Sequence, residues 1–168
     1  MAMRSIILIA HNLRSAHNVG SLLRTAEGLG ITHVYLTGYI PYPKIEDDTR
    51  LPHESAKVHY QIQKTALGAE ALVKIKHSNN IGSIISSLSK DDYEICALEQ
   101  DPSAVQLPKY VPKAKTALIV GREVEGIEPE IIKQADTVIE IPMRGQKESF
   151  NVVQAAAMAL YHIAYFTN

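Results

Sequence analysis

The sequence contains no tryptophan, only one cysteine and no long hydrophobic run. A single cysteine excludes an intramolecular disulfide framework and a multi-cysteine zinc site. Cys96 lies in the apolar stretch 94–98, where we expect a buried, unreactive thiol. No run approaches the roughly 20 apolar residues of a membrane span, and the apolar run 6–10 is too short for the core of a signal peptide. These absences predict a soluble protein of the reducing cytoplasm.

The chain also has almost no net charge. Its 168 residues include 17 basic and 18 acidic side chains, which give a formal net charge of −1. This balance argues against a protein that coats nucleic acid by bulk electrostatics, whereas a local basic patch would not show in the sum. Hydrophobic residues make up 46% and charged residues 21%, which excludes a disordered chain and fits a single globular domain.

Short apolar runs alternate with helical periodicity along the chain. We predict strands at 6–10, 32–36, 72–75, 95–98, 116–120 and 137–141. We predict helices at 19–29, 61–67, 81–88, 129–134 and 151–166, and proline-containing loops at 37–53 and 101–115. Several strands are apolar on both faces, which favours an α/β fold with a parallel sheet and helices on both of its faces.

Familiar glycine and histidine motifs are absent. Gly28 and Gly30 lie at the end of a predicted helix and lack the third glycine of a dinucleotide fingerprint, so we expect them to be stop signals for that helix. Gly121 and Gly126 have the spacing of a phosphate-binding loop, but Ile-Glu follows instead of Lys-Ser. The seven histidines show no metal-ligand spacing on a predicted helix, and we expect each at the surface or in a loop.

The first unusual segment is Asn18-Val-Gly-Ser-Leu-Leu-Arg-Thr-Ala26. Asn18 is the expected cap of the first helix. At 100° per residue, Arg24 points away from the apolar face and lies beside Gly20, where a glycine would let a ligand or another backbone approach the guanidinium. Taken alone, the segment is better explained by a solvated arginine and an incidental glycine.

Two further segments place glycine and polar side chains directly after predicted strands. In the first, the strand 116–120 runs into Gly121 and then Glu123; in the second, the strand 137–141 leads through Pro142 and Gly145 to a helix start at Ser149 or Asn151. Ligands bind at the carboxyl ends of parallel strands, so both loops are candidate binding sites. An ordinary turn with solvated charges explains the first equally well, and helix capping, which stabilises by about 1 kcal/mol, explains the second.

Together and in this order, the three segments resemble the motifs of the SpoU/TrmH family of RNA ribose 2′-O-methyltransferases, in the SPOUT superfamily. The match consists of Asn-x-Gly-x-x-x-Arg-Thr-Ala, Gly-x-Glu-x-x-Gly-Ile, and Ile-Pro-Met followed by Ser-Phe-Asn-Val, and it extends over 6–165. The resemblance implies one methyltransferase domain over 1–168, a parallel sheet with a deep C-terminal trefoil knot, and a homodimer.

The resemblance also implies S-adenosyl-methionine as the cofactor, bound by the knot loops, and S-adenosyl-homocysteine as the product. The cofactor-binding residues would be Leu98, Glu99, Gly121, Ile141, Met143, Ser149, Phe150 and Asn151. The catalytic group would be Arg24, Asn18, Glu123, Ser149 and Asn151.

Each of the five catalytic candidates has an expected role. Arg24 would grip a phosphate and stabilise the developing 2′-oxyanion, but it is a poor general base because it stays protonated. Asn18 would orient Arg24 or the ribose. Glu123 would hold the motif loops or the cofactor side of the site. Ser149 and Asn151 would position cofactor and substrate.

The resemblance favours tRNA, with the anticodon loop as the expected region. The Gly-Arg-Glu of the second motif resembles that of the family branch that methylates the first anticodon position, whereas Ile-Pro-Met is shared more widely. The length of the chain is similar to that of the minimal family members, which lack an added RNA-binding domain. Phe150 stands where relatives often have leucine and Val153 where they have a small hydroxyl, which bears on substrate positioning. The alternatives are ribosomal RNA, a non-catalytic RNA-binding or cofactor-sensing dimer, and an ordinary flavodoxin-like binding domain.

A doubled basic face would reconcile an RNA partner with the balanced charge. Its candidate residues are Arg4, Arg14, Arg24, Arg122, Arg144 and Lys147. Dimer contacts would come from the first and last helices, where Tyr161, Ile163 and Tyr165 either cover a partner or belong to the ordinary core.

Overall fold

The computed structural model describes residues 4–31 and 33–167, so position 32 of the second predicted strand and residues 1–3 lie outside the described part. Within it, parallel strands form one sheet in the order β3-β2-β1-β6-β4-β7-β5. The strands are β1 Ser5–His11, β2 His33–Thr37, β3 Lys74–Ser78, β4 Glu94–Leu98, β5 Val105–Gln106, β6 Lys115–Val120 and β7 Thr137–Glu140.

Four α-helices connect these strands in the described ranges, and a fifth follows the last strand. They are α1 Ala16–Gly28, α2 Pro52–Ala66, α3 Ile81–Lys90, α4 Pro129–Ile132 and α5 Val152–Tyr165. None of the helices in this part of the chain is long and apolar enough to cross a membrane. The predicted α/β class, with a parallel sheet covered on both faces, is confirmed.

Two buried clusters show how the helices cover the sheet. On one face, Leu8 and Leu118 of the central strands pack with apolar side chains of α1, α2 and α5. On the other face, Ile9 and Ile119 pack with those of α3 and α4. Alternate residues of β1 and β6 therefore enter different cores, which is why both strands are apolar throughout. Cys96 is fully buried, and burial raises the pKa of its thiol to about 12, so the expectation of an unreactive thiol is confirmed.

The helix predicted at 61–67 is much longer than expected. The structure begins α2 at Pro52, which suits the first turn of a helix, so the preceding loop ends before residue 52. The buried residues of α2 are Ser55, Ile62 and Ala66, and two of these are small. This face carries little hydrophobic signal, which hid the first half of the helix. The predicted loop 101–115 likewise contains the short edge strand β5.

Gly20 explains why α1 and α2 approach so closely. It is buried, contrary to the prediction that it lies on an exposed face beside Arg24. A Cβ atom at this position would overlap the Ile62 carbonyl oxygen and the Thr65 hydroxyl of α2. That hydroxyl donates to the His17 carbonyl at 2.8 Å and joins the two helices. The glycine therefore permits helix packing and does not open a path to the guanidinium.

Candidate active site

A cleft of about 250 Å³ lies at the carboxyl ends of β4, β6 and β7. This is the edge of a parallel sheet where ligands bind. The cleft brings the second and third sequence segments together, although they are separate along the chain. Among the predicted cofactor-binding residues, those that line it are Leu98, Glu99, Gly121, Ile141, Met143, Ser149 and Phe150. Asn151 is the exception and lies at the start of α5.

The loop after β6 folds back on itself. Arg122 and Gly126 exchange backbone hydrogen bonds of 3.3 and 3.2 Å, and Gly126 has a left-handed φ of +70°. A Cβ at Gly121 would lie 2.6 Å from the Ile127 side chain and 2.8 Å from the Gly126 carbonyl carbon. The loop therefore requires glycine at position 121 for its own packing, whatever ligand the cleft holds.

Glu99 ties the end of β4 to this loop. One carboxylate oxygen accepts the Ile127 amide at 2.9 Å, and the other accepts the Gln100 amide at 2.9 Å. The Gln100 side chain in turn donates to the Glu148 carbonyl at 2.6 Å and so reaches the third segment. These bonds fix the walls of the cleft, which is a structural role that the sequence did not indicate.

Asn18 and Glu123 link the first segment to the second. The Asn18 amide nitrogen donates to a Glu123 carboxylate oxygen at 3.0 Å. The prediction that Asn18 caps α1 is wrong, because Ser15 is the cap and its hydroxyl accepts the Asn18 backbone amide at 3.2 Å. The side chain of Asn18 is therefore available to hold the loop that lines the cleft.

Arg24 lies apart from the cleft of its own chain. It is exposed on α1, and among residues 4–31 and 33–167 it forms no hydrogen bond or ion pair. It is six residues beyond Asn18, which places it roughly 9 Å further along the helix and about 120° around it. Since α1 runs away from the carboxyl edge of the sheet, Arg24 is absent from the residues that line the cleft.

Asn151 and Ser149 occupy the entrance of α5. The Asn151 side chain accepts the Val153 amide at 2.9 Å, so its predicted capping role is confirmed. Ser149 and Phe150 are exposed at the cleft, with 40% of Phe150 accessible. Val153 packs against the core formed by α1, α2 and α5, which gives an apolar residue a structural reason to stand there.

A polar cluster beside the cleft was not expected from the sequence. The Asn12 amide nitrogen donates to Glu128 at 2.8 Å, and Arg122 pairs with the same carboxylate at 3.2 Å. His11 is buried, which corrects its placement at the surface, because it ends β1 between β2 and β6. Its Nδ1 lies 2.8 Å from the Thr37 hydroxyl. A His-Asn pair at the end of a buried strand is the signal that could have revealed this cluster.

Burial and charge set the protonation of the cluster. Burial lowers the pKa of His11. The Glu128 carboxylate, 3.4 Å away, opposes this effect and the Arg122 charge adds to it; the net pKa lies below the ordinary 6.5, so the ring is neutral near pH 7. Burial opposes ionisation of Glu128, but hydrogen bonds from its own amide and from Asn12, with the His11 and Arg122 charges, lower its pKa. In the described part of the chain, Arg122 Nε and one Glu128 oxygen are buried without a hydrogen-bond partner.

The predicted basic face is smaller than the sequence suggested. Arg4 precedes β1 and donates to the Phe166 carbonyl at 3.0 Å, so it lies at the edge of the sheet opposite the cleft. Arg14 pairs with Glu125 at 3.1 Å. Arg144 and Lys147 are exposed in the loop after β7. Four of the six candidates, Arg14, Arg122, Arg144 and Lys147, therefore lie at the carboxyl edge, and the first two are paired with carboxylates.

The structure is that of an α/β protein with a cleft built from the loops after three neighbouring parallel strands. The model of the SpoU rRNA Methylase family matches residues 5–161. The chain therefore belongs to this family, and the recognition from three sequence segments is confirmed.

Named relatives include both tRNA and rRNA enzymes. The chain is 27% identical over 158 residues to a tRNA (guanosine(18)-2′-O)-methyltransferase of Aquifex aeolicus, covering 94% of this chain and 68% of that protein. It is 27% identical to the 23S rRNA (guanosine-2′-O-)-methyltransferase RlmB of Acinetobacter baylyi, covering 94% of this chain and 58% of that protein.

A solved structure of similar length shares the fold. It is described as giving structural insights into the 2-OH methylation of C/U34 on tRNA. It superposes with a TM-score of 0.74 at 19% identity and covers 95% of this chain and 94% of that chain.

Proposed function

We propose that this protein transfers the methyl group of S-adenosyl-methionine to a ribose 2′-hydroxyl of RNA. The observation that carries the proposal is the cleft itself, which is lined by the second and third motif segments and joined to the first through the Asn18–Glu123 hydrogen bond. The relatives named above, which include tRNA and rRNA 2′-O-methyltransferases, support the same reaction.

The residues of the cleft fit the cofactor. Leu98, Ile141 and Phe150 offer apolar surface for an adenine ring, and the strand ends offer backbone groups for its polar edge. Met143 and Ser149 lie at the same cleft. When bound, the cofactor supplies an electrophilic methyl group on a sulfonium. We further propose that the loops after β6 and β7 form the trefoil knot implied by the family, within one domain over 1–168.

The chain's own residues would position the reacting oxygen. A guanidinium at Arg24 would hold a phosphate and stabilise the developing 2′-oxyanion, while a phosphate or water accepts the proton. Glu123 holds the cleft loop through Asn18, and we propose that Ser149 and Asn151 orient cofactor and ribose. Holding methyl and oxygen in line contributes several kcal/mol of the rate enhancement.

A homodimer would complete the site. Arg24 does not line the cleft of its own chain, so a second copy packed on α1 and α5 would bring its own Arg24 there. Tyr161 and Tyr165 are 60% and 57% exposed on α5 and suit such a contact. Ile163, in contrast, is fully buried in the core of its own chain. Of the two interpretations given for this position, the ordinary core is therefore correct and the dimer contact is wrong.

Subunit mixing tests the shared site. Arg24→Ala and Glu123→Ala should each be inactive alone, but a mixed dimer would keep one site with both groups intact. Random pairing would restore about a quarter of wild-type activity. If the mixture stays inactive although mixed dimers form, Arg24 acts in its own chain or not at all.

We propose tRNA, and within it the anticodon loop, as the substrate, in a cytoplasmic setting. The fold neighbour of matching length concerns C/U34 on tRNA. The relative from Acinetobacter baylyi acts on 23S rRNA, which makes ribosomal RNA the second candidate.

Methyl transfer from labelled S-adenosyl-methionine to separated tRNA and ribosomal RNA tests the proposal. We expect label in tRNA, its loss in Arg24→Ala, and unchanged cofactor affinity by calorimetry. Glu27→Ala, one turn further along α1 and also exposed, is the matched control and should keep full activity. Label in ribosomal RNA alone would reject the substrate, and cofactor binding without methylation of any RNA would reject the reaction.

A further inference from the structure

Tyr39 is an aromatic side chain held in solvent at the same edge of the sheet as the cleft. It follows β2 directly after Gly38, and 85% of it is exposed. The next residue, Ile40, is buried in the core. The Tyr39 ring thus projects into solvent, while the next side chain along the chain, Ile40, is buried in the core.

The backbone around Tyr39 is fixed by specific contacts. Its amide donates to the Asn12 side-chain oxygen at 2.8 Å, and the Gly38 amide donates to the Ser78 carbonyl at 2.9 Å. Gly38 has a left-handed φ of +72°, and a Cβ there would overlap the Asn12 side chain. These contacts hold the backbone of the turn, and the Tyr39 ring lies outside it in solvent.

The rest of the loop before α2 is also ordered. The Arg50 guanidinium lies 3.6 Å from the centre of the Tyr42 ring, which stacks on His77 at 3.9 Å. Arg50 also donates to the carbonyls of Tyr42 and Pro43 at 2.8 and 3.0 Å. This stack holds the loop on the side of Tyr39 that leads to α2. Binding of a ligand would therefore restrict mainly the Tyr39 side chain, because the backbone around it is already ordered.

Tyr39 is connected to the cleft through the polar cluster. Asn12, which binds the Tyr39 amide, also donates to Glu128, and Glu128 pairs with the cleft-lining Arg122. In the sheet, β1 lies between β2 and β6, so Gly38 and Gly121 follow strands two positions apart. That separation is roughly 10 Å at about 4.8 Å per strand.

We propose that Tyr39 stacks on an unpaired base of the RNA, next to the nucleotide whose ribose enters the cleft. The inference rests on the proposed function, since it assigns a binding contact of the same substrate. Sequence-dependent RNA recognition targets unstacked bases, and exposed aromatic rings are the surfaces on which they stack. Arg14 and Arg122 at this edge are already paired with carboxylates, so stacking would add contact that charge alone does not supply.

The absence of tryptophan gives a direct probe. Tyr39→Trp introduces a single indole, and titration with total tRNA should quench its fluorescence through base stacking. Tyr60→Trp is the matched control, because Tyr60 is 62% exposed beside Lys64 and lies within helix α2, not directly after a strand of the sheet. We expect quenching at position 39 and none at position 60. Equal signals at both positions, or no change at position 39 under conditions where RNA binds, would overturn the proposal.

Kinetics give the second readout. We expect Tyr39→Ala to raise the KM for RNA about 10-fold, which corresponds to about 1.4 kcal/mol, with cofactor affinity unchanged and Tyr39→Phe close to wild type. An unchanged KM in Tyr39→Ala would overturn the proposal. If the wild-type protein binds RNA but transfers no methyl group, the proposed function fails, while the fluorescence titration still decides whether position 39 stacks on a base.

Discussion

Gly20→Ala should destabilise the protein although alanine is the better helix former. The new methyl group would overlap the Ile62 carbonyl oxygen, which is backbone and cannot rotate away, and the Thr65 hydroxyl, which already bonds His17. Overpacking of this kind costs about 1–3 kcal/mol, and the gain in helix propensity returns at most about 1 kcal/mol. We expect a net loss of about 1 kcal/mol, and about 2 kcal/mol at most, or roughly 2–4 °C in Tm per kcal/mol for a chain of this size.

Gly28→Ala provides the control on the same helix. A Cβ at Gly28 meets nothing within 4 Å, so this change should be neutral or stabilising by up to about 1 kcal/mol. Thermal and urea unfolding, followed by circular dichroism at one protein concentration, would compare the two variants. A Gly20→Ala protein as stable as wild type would refute the close packing of α1 on α2.

Three further predictions concern polar contacts. A double-mutant cycle of Asn18→Ala and Glu123→Ala should give a coupling of about 1 kcal/mol in the free energy of unfolding. Zero coupling would mean that the Asn18–Glu123 hydrogen bond does not stabilise the loop after β6. The pKa of His11 in the folded protein lies below its ordinary 6.5. The unfolded chain therefore takes up a proton first, and the free energy of unfolding falls as the pH drops below 6.5. Between pH 7.5 and pH 5.5, the urea midpoint should fall less in His11→Asn than in wild type. Arg50 lowers the pKa of Asp48 to about 2, so Asp48→Asn should lower the free energy of unfolding by about 1 kcal/mol at pH 7. This difference from wild type should vanish as the pH falls through 2. An equal difference in stability at all pH values would contradict the ion pair.

Elements with strong hydrophobic periodicity could be predicted from the sequence. Four of the apolar positions expected on the face of α1, namely Val19, Leu22, Leu23 and Ala26, are buried. α2 could not be predicted in full, because its contact with α1 relies on small residues that carry little hydropathy signal. Gly20 was misplaced for the same reason, since a glycine in a helix looks alike whether it faces solvent or another backbone.

Contacts between segments that are distant along the chain could not be predicted from the sequence either. The motifs predicted which loops form the cleft, but no local pattern shows that Asn18 reaches Glu123 or that Glu99 binds the Ile127 amide. Two residues can each serve as a cap of α1, and only the fold shows that Ser15 does so and leaves Asn18 free for the loop.

The chemical position of the transferred methyl group tests the central claim most directly. RNA labelled by the wild-type protein would be hydrolysed in alkali, which cleaves every linkage except those that follow a 2′-O-methyl ribose. The account predicts label only in alkali-resistant dinucleotides, and none with Arg24→Ala. Label in mononucleotides, which reports methylation of a base, would contradict it.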